Sequence, residues 1–150
     1  MSRVKVFTHK GFSLIEVILV IALLGLLSTL IFPNFKGTLD KYKLEVAAQE
    51  LAQNIRLAQQ KSITEDTSYK ILLGKNNYQL LSGVKGNLFE LPLGVSIEWT
   101  TYYDLDRTIV FHPSGAPNRG GTICLAGNDN RLYVIVSIAT GRIRIGDTPP

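Results

Sequence analysis

A chain of 150 residues, 45% hydrophobic and 19% charged, is long enough for one domain of ordinary size and too apolar for a disordered one. The lone Cys124 excludes an intramolecular disulfide, and two histidines beside one cysteine fall short of a four-ligand zinc set, so no metal, cofactor or redox role is indicated. The net charge of +4 is uneven: Met1 to Gly11 holds Arg3, Lys5 and Lys10 with no acid, Phe12 to Asp106 has eight basic and ten acidic residues, and Arg107 to Pro150 has five arginines against two acids.

The first element is "KGFSLIEVILVIALLGLLSTLIFPNF", Lys10 to Phe35. From Phe12 to Phe32 it is almost wholly apolar, and a helix of that length measures about 31 Å, the thickness of a bilayer's hydrocarbon core. Basic residues before the segment and the bulk of the chain after it predict a cytoplasmic N-terminus and a head outside the cytoplasm. A cleaved secretory signal has a shorter apolar region and an A-x-A-like site, neither of which is present. A plain anchor fits the length but leaves Glu16 unexplained, since an ionised side chain in a membrane helix is costly and normally signals a partner.

These residues carry a resemblance. "KGFSLIEVILVIALLGLL" resembles the class III leader junction of type IV pilins and type II secretion pseudopilins: a short basic leader ending in Gly, then Phe, with Glu four residues later. The resemblance implies that a prepilin peptidase cuts after Gly11 and methylates the new N-terminal Phe12. It also places Gly25 and Pro33 where pilin helices commonly carry a Gly and a helix-loosening Pro. The free amine of Phe12 then gives Glu16 of a neighbouring subunit an opposite charge. At about 4 Å and an effective dielectric near 20 the attraction is roughly 4 kcal/mol before desolvation is subtracted, so the pair sets register more than it adds stability.

Pro33 is expected to loosen the helix around Leu30 to Gly37. Helical pattern resumes from Lys36 to Ser62, where Leu44, Ala48, Leu51, Ile55 and Ala58 recur at four- and three-residue steps and Lys43, Glu50, Gln53 and Gln60 fall elsewhere. This stripe is expected to pack on a sheet; the repeat is too short and alanine-rich for a coiled-coil seam. After Thr64 the period changes. "SYKILL" and "YQLLS" around "GKNN" predict a hairpin, and "VSIEW", "RTIVF", "TICLA", "LYVIVSIA" and "RIRI" are further strand candidates, the last three forming a meander. The fold class is therefore α+β: a long N-terminal helix, half transmembrane and half amphipathic, on a mainly antiparallel head of six or seven strands. The expected divisions are a leader at 1–11, a membrane or filament-core helix at 12–35, an amphipathic helix at 36–62 and a β-rich head at 63–150.

The order "AAQELAQNIRLAQQKSI", "IVFHPSGAPNRGGTICLAG", "LYVIVSIATGRIRI" is similar to the GspH/FimT group of pseudopilins and minor pilins, over nearly the whole chain. Its recurrent pieces are the F-x-P-x-G loop and the TGRIR strand. The pair of C-terminal cysteines found in major pilins is missing, which points to a low-copy subunit. The resemblance implies a non-enzymatic subunit of a type II secretion pseudopilus or type IV pilus. Its expected partners are the prepilin peptidase, other pilins or pseudopilins, the assembly platform and the membrane.

A second function class rests on "TGRIRIG". Strand alternation puts Arg142 and Arg144 on one face and Ile143 and Ile145 on the other. With Arg131, Arg119 or Arg107 they form a candidate face for the phosphates of extracellular DNA, as in competence-associated FimT-like pilins; an edge strand guarded by charge is the competing reading. Without the leader the chain carries thirteen basic and twelve acidic side chains, a weak overall field for DNA. The remaining constellations read as structure. "HPSGAPNRGG" lacks the ending of a phosphate loop, Asp104 and Asp106 lack further oxygen ligands for calcium, and His112 with Cys124 lacks an orienting third group. Trp99, Tyr102 and Tyr103 are expected to pack rather than stack on bases.

Overall fold

In the computed structural model of the protein, residues 11–31, 35–103 and 107–149 are described. They fall into two compact units that meet at Phe35 and Lys36. In the first, Gly11 to Ser13 precede helix α1, Leu14–Ile31. Eighteen residues span about 27 Å. Among the described residues no helix is long and apolar enough to cross a membrane. The expected run from Phe12 to Phe35 includes residues 32–34, and with them the Pro33 kink, which lie outside the described residues. Ser28 donates its hydroxyl to the Leu24 carbonyl at 2.8 Å, so this polar side chain is satisfied within its own helix.

The second unit is built on α2, Phe35–Thr64. Each of the five stripe residues expected from the sequence is buried, and Ala47 and Ala52 widen the stripe. Their small side chains let the sheets approach the helix closely. The helix overruns its expected end by two residues and ends at Thr64; the left-handed backbone of Asp66 (φ 48°) then turns the chain so that the Thr67 N–H donates to the Ser62 carbonyl at 3.2 Å.

Eight strands follow, in two four-stranded antiparallel sheets rather than one. They are β1 (Tyr69–Leu73), β2 (Asn77–Ser82), β3 (Lys85–Glu90), β4 (Ser96–Thr100), β5 (Thr108–Phe111), β6 (Gly121–Ala126), β7 (Arg131–Val136) and β8 (Ile143–Gly146). The first sheet has the order β3-β2-β1-β5 and the second β4-β6-β7-β8. The β1–β2 hairpin (Leu73 opposite Tyr78) and the β6–β7–β8 meander are as expected. Strand β3 is the element that sequence reading missed. It pairs with β2 from Asn77 opposite Glu90 to Ser82 opposite Lys85, and nearly all of it is exposed.

Alternate residues of both sheets, among them Ile71, Tyr78, Leu80, Ile109, Phe111, Ile123, Leu125, Val134 and Ile143, join the α2 stripe in one hydrophobic cluster. A polar tie crosses it: Asn54 of α2 donates to the Tyr78 hydroxyl at 2.7 Å. Burial raises the Tyr78 pKa to about 12, so the phenol stays protonated across the working range.

Candidate functional site

Two places on the molecule carry the candidate residues, and each is built differently. At the first, Gly11, Phe12 and Ser13 are exposed and non-helical, and the Ser13 carbonyl accepts the N–H groups of Glu16 (3.0 Å) and Val17 (3.2 Å). Glu16 thus occupies the first turn of α1, where the partial positive charge of the helix start favours a carboxylate. The order S-x-x-E is that of a capping box, yet Ser13 and Glu16 meet here only through the backbone, which leaves the carboxylate available to an outside donor. Every described side chain from Phe12 to Ser28 is exposed, Phe12 at 82%. A Cβ on Gly25 would meet nothing within 4 Å, so its lack of a side chain serves no contact inside the chain.

At the second place the F-x-P-x-G loop and the TGRIR turn come together on α2. Phe111 bridges to Pro117, His112 and Ala116 are joined by a backbone bond of 3.0 Å, and Gly115 turns at φ 77°. Gln59 of α2 donates its side-chain amide to the Gly115 carbonyl at 2.9 Å. Gly141, at φ 62°, lies against the same Gln59: a Cβ there would overlap the amide and sit 3.3 Å from the Gly115 oxygen. The two glycines are needed for backbone direction and for space, and Gln59 is the post on which both loops close.

Beyond that turn Ile143 is buried while Arg142 and Arg144 are exposed, as alternation predicts, but Ile145, expected beside Ile143, is exposed on this edge strand. Neither has an ion-pair partner among the described residues. The other expected arginines are placed elsewhere. Arg131 shares the outer face with Arg144 but begins β7 four residues from Ile135, the partner of Arg144, about 13 Å along the ladder. A bulge between Ile97 and Trp99 brings Glu98 to it, and the guanidinium makes a two-pronged bond to that carboxylate at 2.5 and 2.9 Å. The pairing with Arg131 holds the Glu98 carboxyl below the usual range and raises the guanidinium further. Arg119 is half-buried with its guanidinium 5.6 Å from the centre of the buried Tyr102 ring, and Arg107 lies in the loop before β5, with a left-handed backbone (φ 46°). Sequence reading missed Arg56, whose guanidinium donates to the Ile143 carbonyl at 3.0 Å.

His112 and Cys124 are not brought together. His112 is exposed after β5 in the first sheet, whereas Cys124 is buried in β6 of the second, its thiol facing Glu98 at 3.7 Å. Burial first, and the Glu98 charge next, push that thiol to about 11, which keeps it un-ionised. Trp99 leans on Tyr133 with ring centres 6.0 Å apart, and Tyr103 is exposed. Asp104 and Asp106 lie outside the described residues. Among the described residues no three His, Cys, Asp or Glu side chains form a metal-holding group.

An apolar helix with a carboxylate in its first turn, followed by an amphipathic helix packed on antiparallel sheets, defines a pilin-type subunit. Residues 7–32 match the family described as the prokaryotic N-terminal methylation motif. The chain is 33% identical over 146 residues to competence protein ComGD of Bacillus subtilis (strain 168), which covers 95% of this chain and 97% of that relative. It is 28% identical over 144 residues to type II secretion system protein H of Xanthomonas campestris pv. campestris, covering 91% and 83%. The fold is shared with the minor pseudopilin EpsH from the type 2 secretion system of Vibrio cholerae, at TM-score 0.59 and 15% identity over 70% of this chain and 97% of that one. It is shared as well with the type IV minor pilin FimU of Pseudomonas aeruginosa, at TM-score 0.56 and 14% identity over 71% and 90%. The chain belongs to the GspH-type minor pilins and pseudopilins, subunits that assemble into a pilus or pseudopilus.

Proposed function

We propose that this subunit is cut after Gly11, methylated on Phe12, held in the cytoplasmic membrane by its N-terminal segment with the head outside, and drawn from there into the filament. The observation that carries this reading is the state of α1: apolar along its length, exposed at every described side chain, with one carboxylate in its first turn. Such a surface is stable only against lipid or other helices. In the filament Glu16 takes the Phe12 amine of a neighbour as its partner, and Gly25 admits a close helix. Leu39, Tyr42, Val46 and Leu57, which fall on the side of α2 away from its buried stripe, give the second helix exposed apolar surface of its own. The work is assembly, with no catalytic step. The test is Glu16→Ala: insertion and cleavage are retained while incorporation into filaments falls sharply. Normal incorporation of the variant removes the role given to Glu16.

A second reading, capture of extracellular DNA by the head, is favoured by one observation: Arg142 and Arg144 are exposed without carboxylate partners among the described residues. The competence relative, at 33% identity, supports it. A salt series with labelled duplex tests it, because phosphate contacts make affinity fall steeply with salt. Absence of binding even at low salt rules it out.

A further inference from the structure

We infer that α2 supplies part of the DNA-contacting surface: Arg56, with Gln60 beside it, and Arg142 form a seat for one backbone phosphate between the helix and the turn that leads into β8. This deepens the second reading and rests on it. The geometry begins with the edge strand. The Arg142 carbonyl accepts the Ser137 N–H at 3.0 Å, so the next carbonyl, that of Ile143, points away from β7 and off the sheet. Arg56 caps it from α2 at 3.0 Å. One residue, Ile143, therefore has a guanidinium on its carbonyl and an arginine on either side in sequence.

Arg56 and Arg142 line one recess, where like charges repel, and its lining supplies no compensating acid. The recess at this place has a volume of roughly 420 Å³ and is lined by Arg56, Gln59, Gln60, Thr140, Gly141, Arg142 and Ile143, with no carboxylate. Arg56, Arg142 and Arg144 have no ion-pair partner among the described residues, in contrast to Arg131, which Glu98 engages with both oxygens. The recess is also pre-shaped. Gln59 is fixed by Gly115, and Gly141 has no side chain to close the space above it. Arg56 is held at one nitrogen only by the Ile143 carbonyl, and a guanidinium has five N–H donors, so others remain for an oxyanion. Walls bearing one sign of charge concentrate the field on an anion that enters. Arg144, next on the exposed strand face, is placed to take the adjoining phosphate of a continuous backbone.

The test uses the full chain in detergent micelles, a fluorescein-labelled mixed-sequence duplex, and binding measured across a salt series. Arg56→Gln is expected to weaken binding about tenfold and to lower the slope of log affinity against log salt by about one, the signature of one lost phosphate contact. Arg56→Lys keeps the charge and is expected to retain the slope. Lys85→Gln, on the exposed β3 strand of the other sheet, is expected to change neither. Thermal unfolding of each variant separates lost binding from lost fold, and Arg56→Lys keeps the test valid if Arg56→Gln unfolds. If Arg142→Gln with Arg144→Gln weakens binding but Arg56→Gln behaves as Lys85→Gln, the helix has no part and this inference fails while DNA capture stands. If the unaltered chain binds no duplex even at low salt, both fail.

Discussion

The two helices carry apolar residues in similar number and dispose of them in opposite ways. In α2 the stripe from Leu44 to Ala58 is sealed against two sheets of its own chain; in α1 every described side chain is left exposed. The fold of the subunit explains α2, whereas α1 is explained only by the lipid or filament neighbours proposed for it. Substitutions in the two helices should therefore separate stability from assembly. The largest stability effect is expected in α2: Leu51→Ala opens a cavity among fully buried neighbours and should destabilise the head by about 2–5 kcal/mol in thermal unfolding. Leu24→Ala in α1 should leave that transition where it is, since Leu24 is exposed.

A smaller effect is expected where the two loops close on Gln59. Gly141→Ala forces a Cβ into a left-handed backbone and into the amide, and should destabilise by about 1–3 kcal/mol, read as a lower unfolding midpoint. The smallest belongs to the Glu98–Arg131 pair, which lies in solvent. The Glu98 pKa is lowered on folding, so its contribution is present above the unfolded carboxylate value of about 4.3 and is lost as pH falls through the folded value. Glu98→Gln should therefore differ slightly from the unaltered chain at pH 7 and converge with it in acid. A difference that widens as pH falls would contradict this sign.

The contrast also marks what local pattern can reveal. The α2 stripe was legible because periodicity at 3.6 residues needs no partner to be read, and all five expected residues are buried, with Ala47 and Ala52 beside them. The β6–β7–β8 meander was legible from short turns between alternating runs. Strand β3 was not, because "KGNLFE" has no alternating apolar set; it exists through its ladder to β2 rather than through burial. Nor does alternation say which sheet a strand joins, so the pairing of β5 with β1, across three other strands in sequence, had no local signal. The arginines divide in the same way. Strand alternation gave the exposure of Arg142 and Arg144, but the bulge that brings Glu98 to Arg131 and the reach of Arg56 to Ile143, 87 residues away, are products of the tertiary fold. Arg56 sits on the polar face of α2, where a charge in sequence signals only solvation.

The assembly reading is tested most directly by intact mass and N-terminal sequencing of the chain purified from membranes that also hold an active prepilin peptidase. The expected product begins at Phe12 and carries the mass of one added methyl group. An uncut chain still beginning at Met1 would contradict it, returning Glu16 to an unpartnered charge at the start of an ordinary anchor.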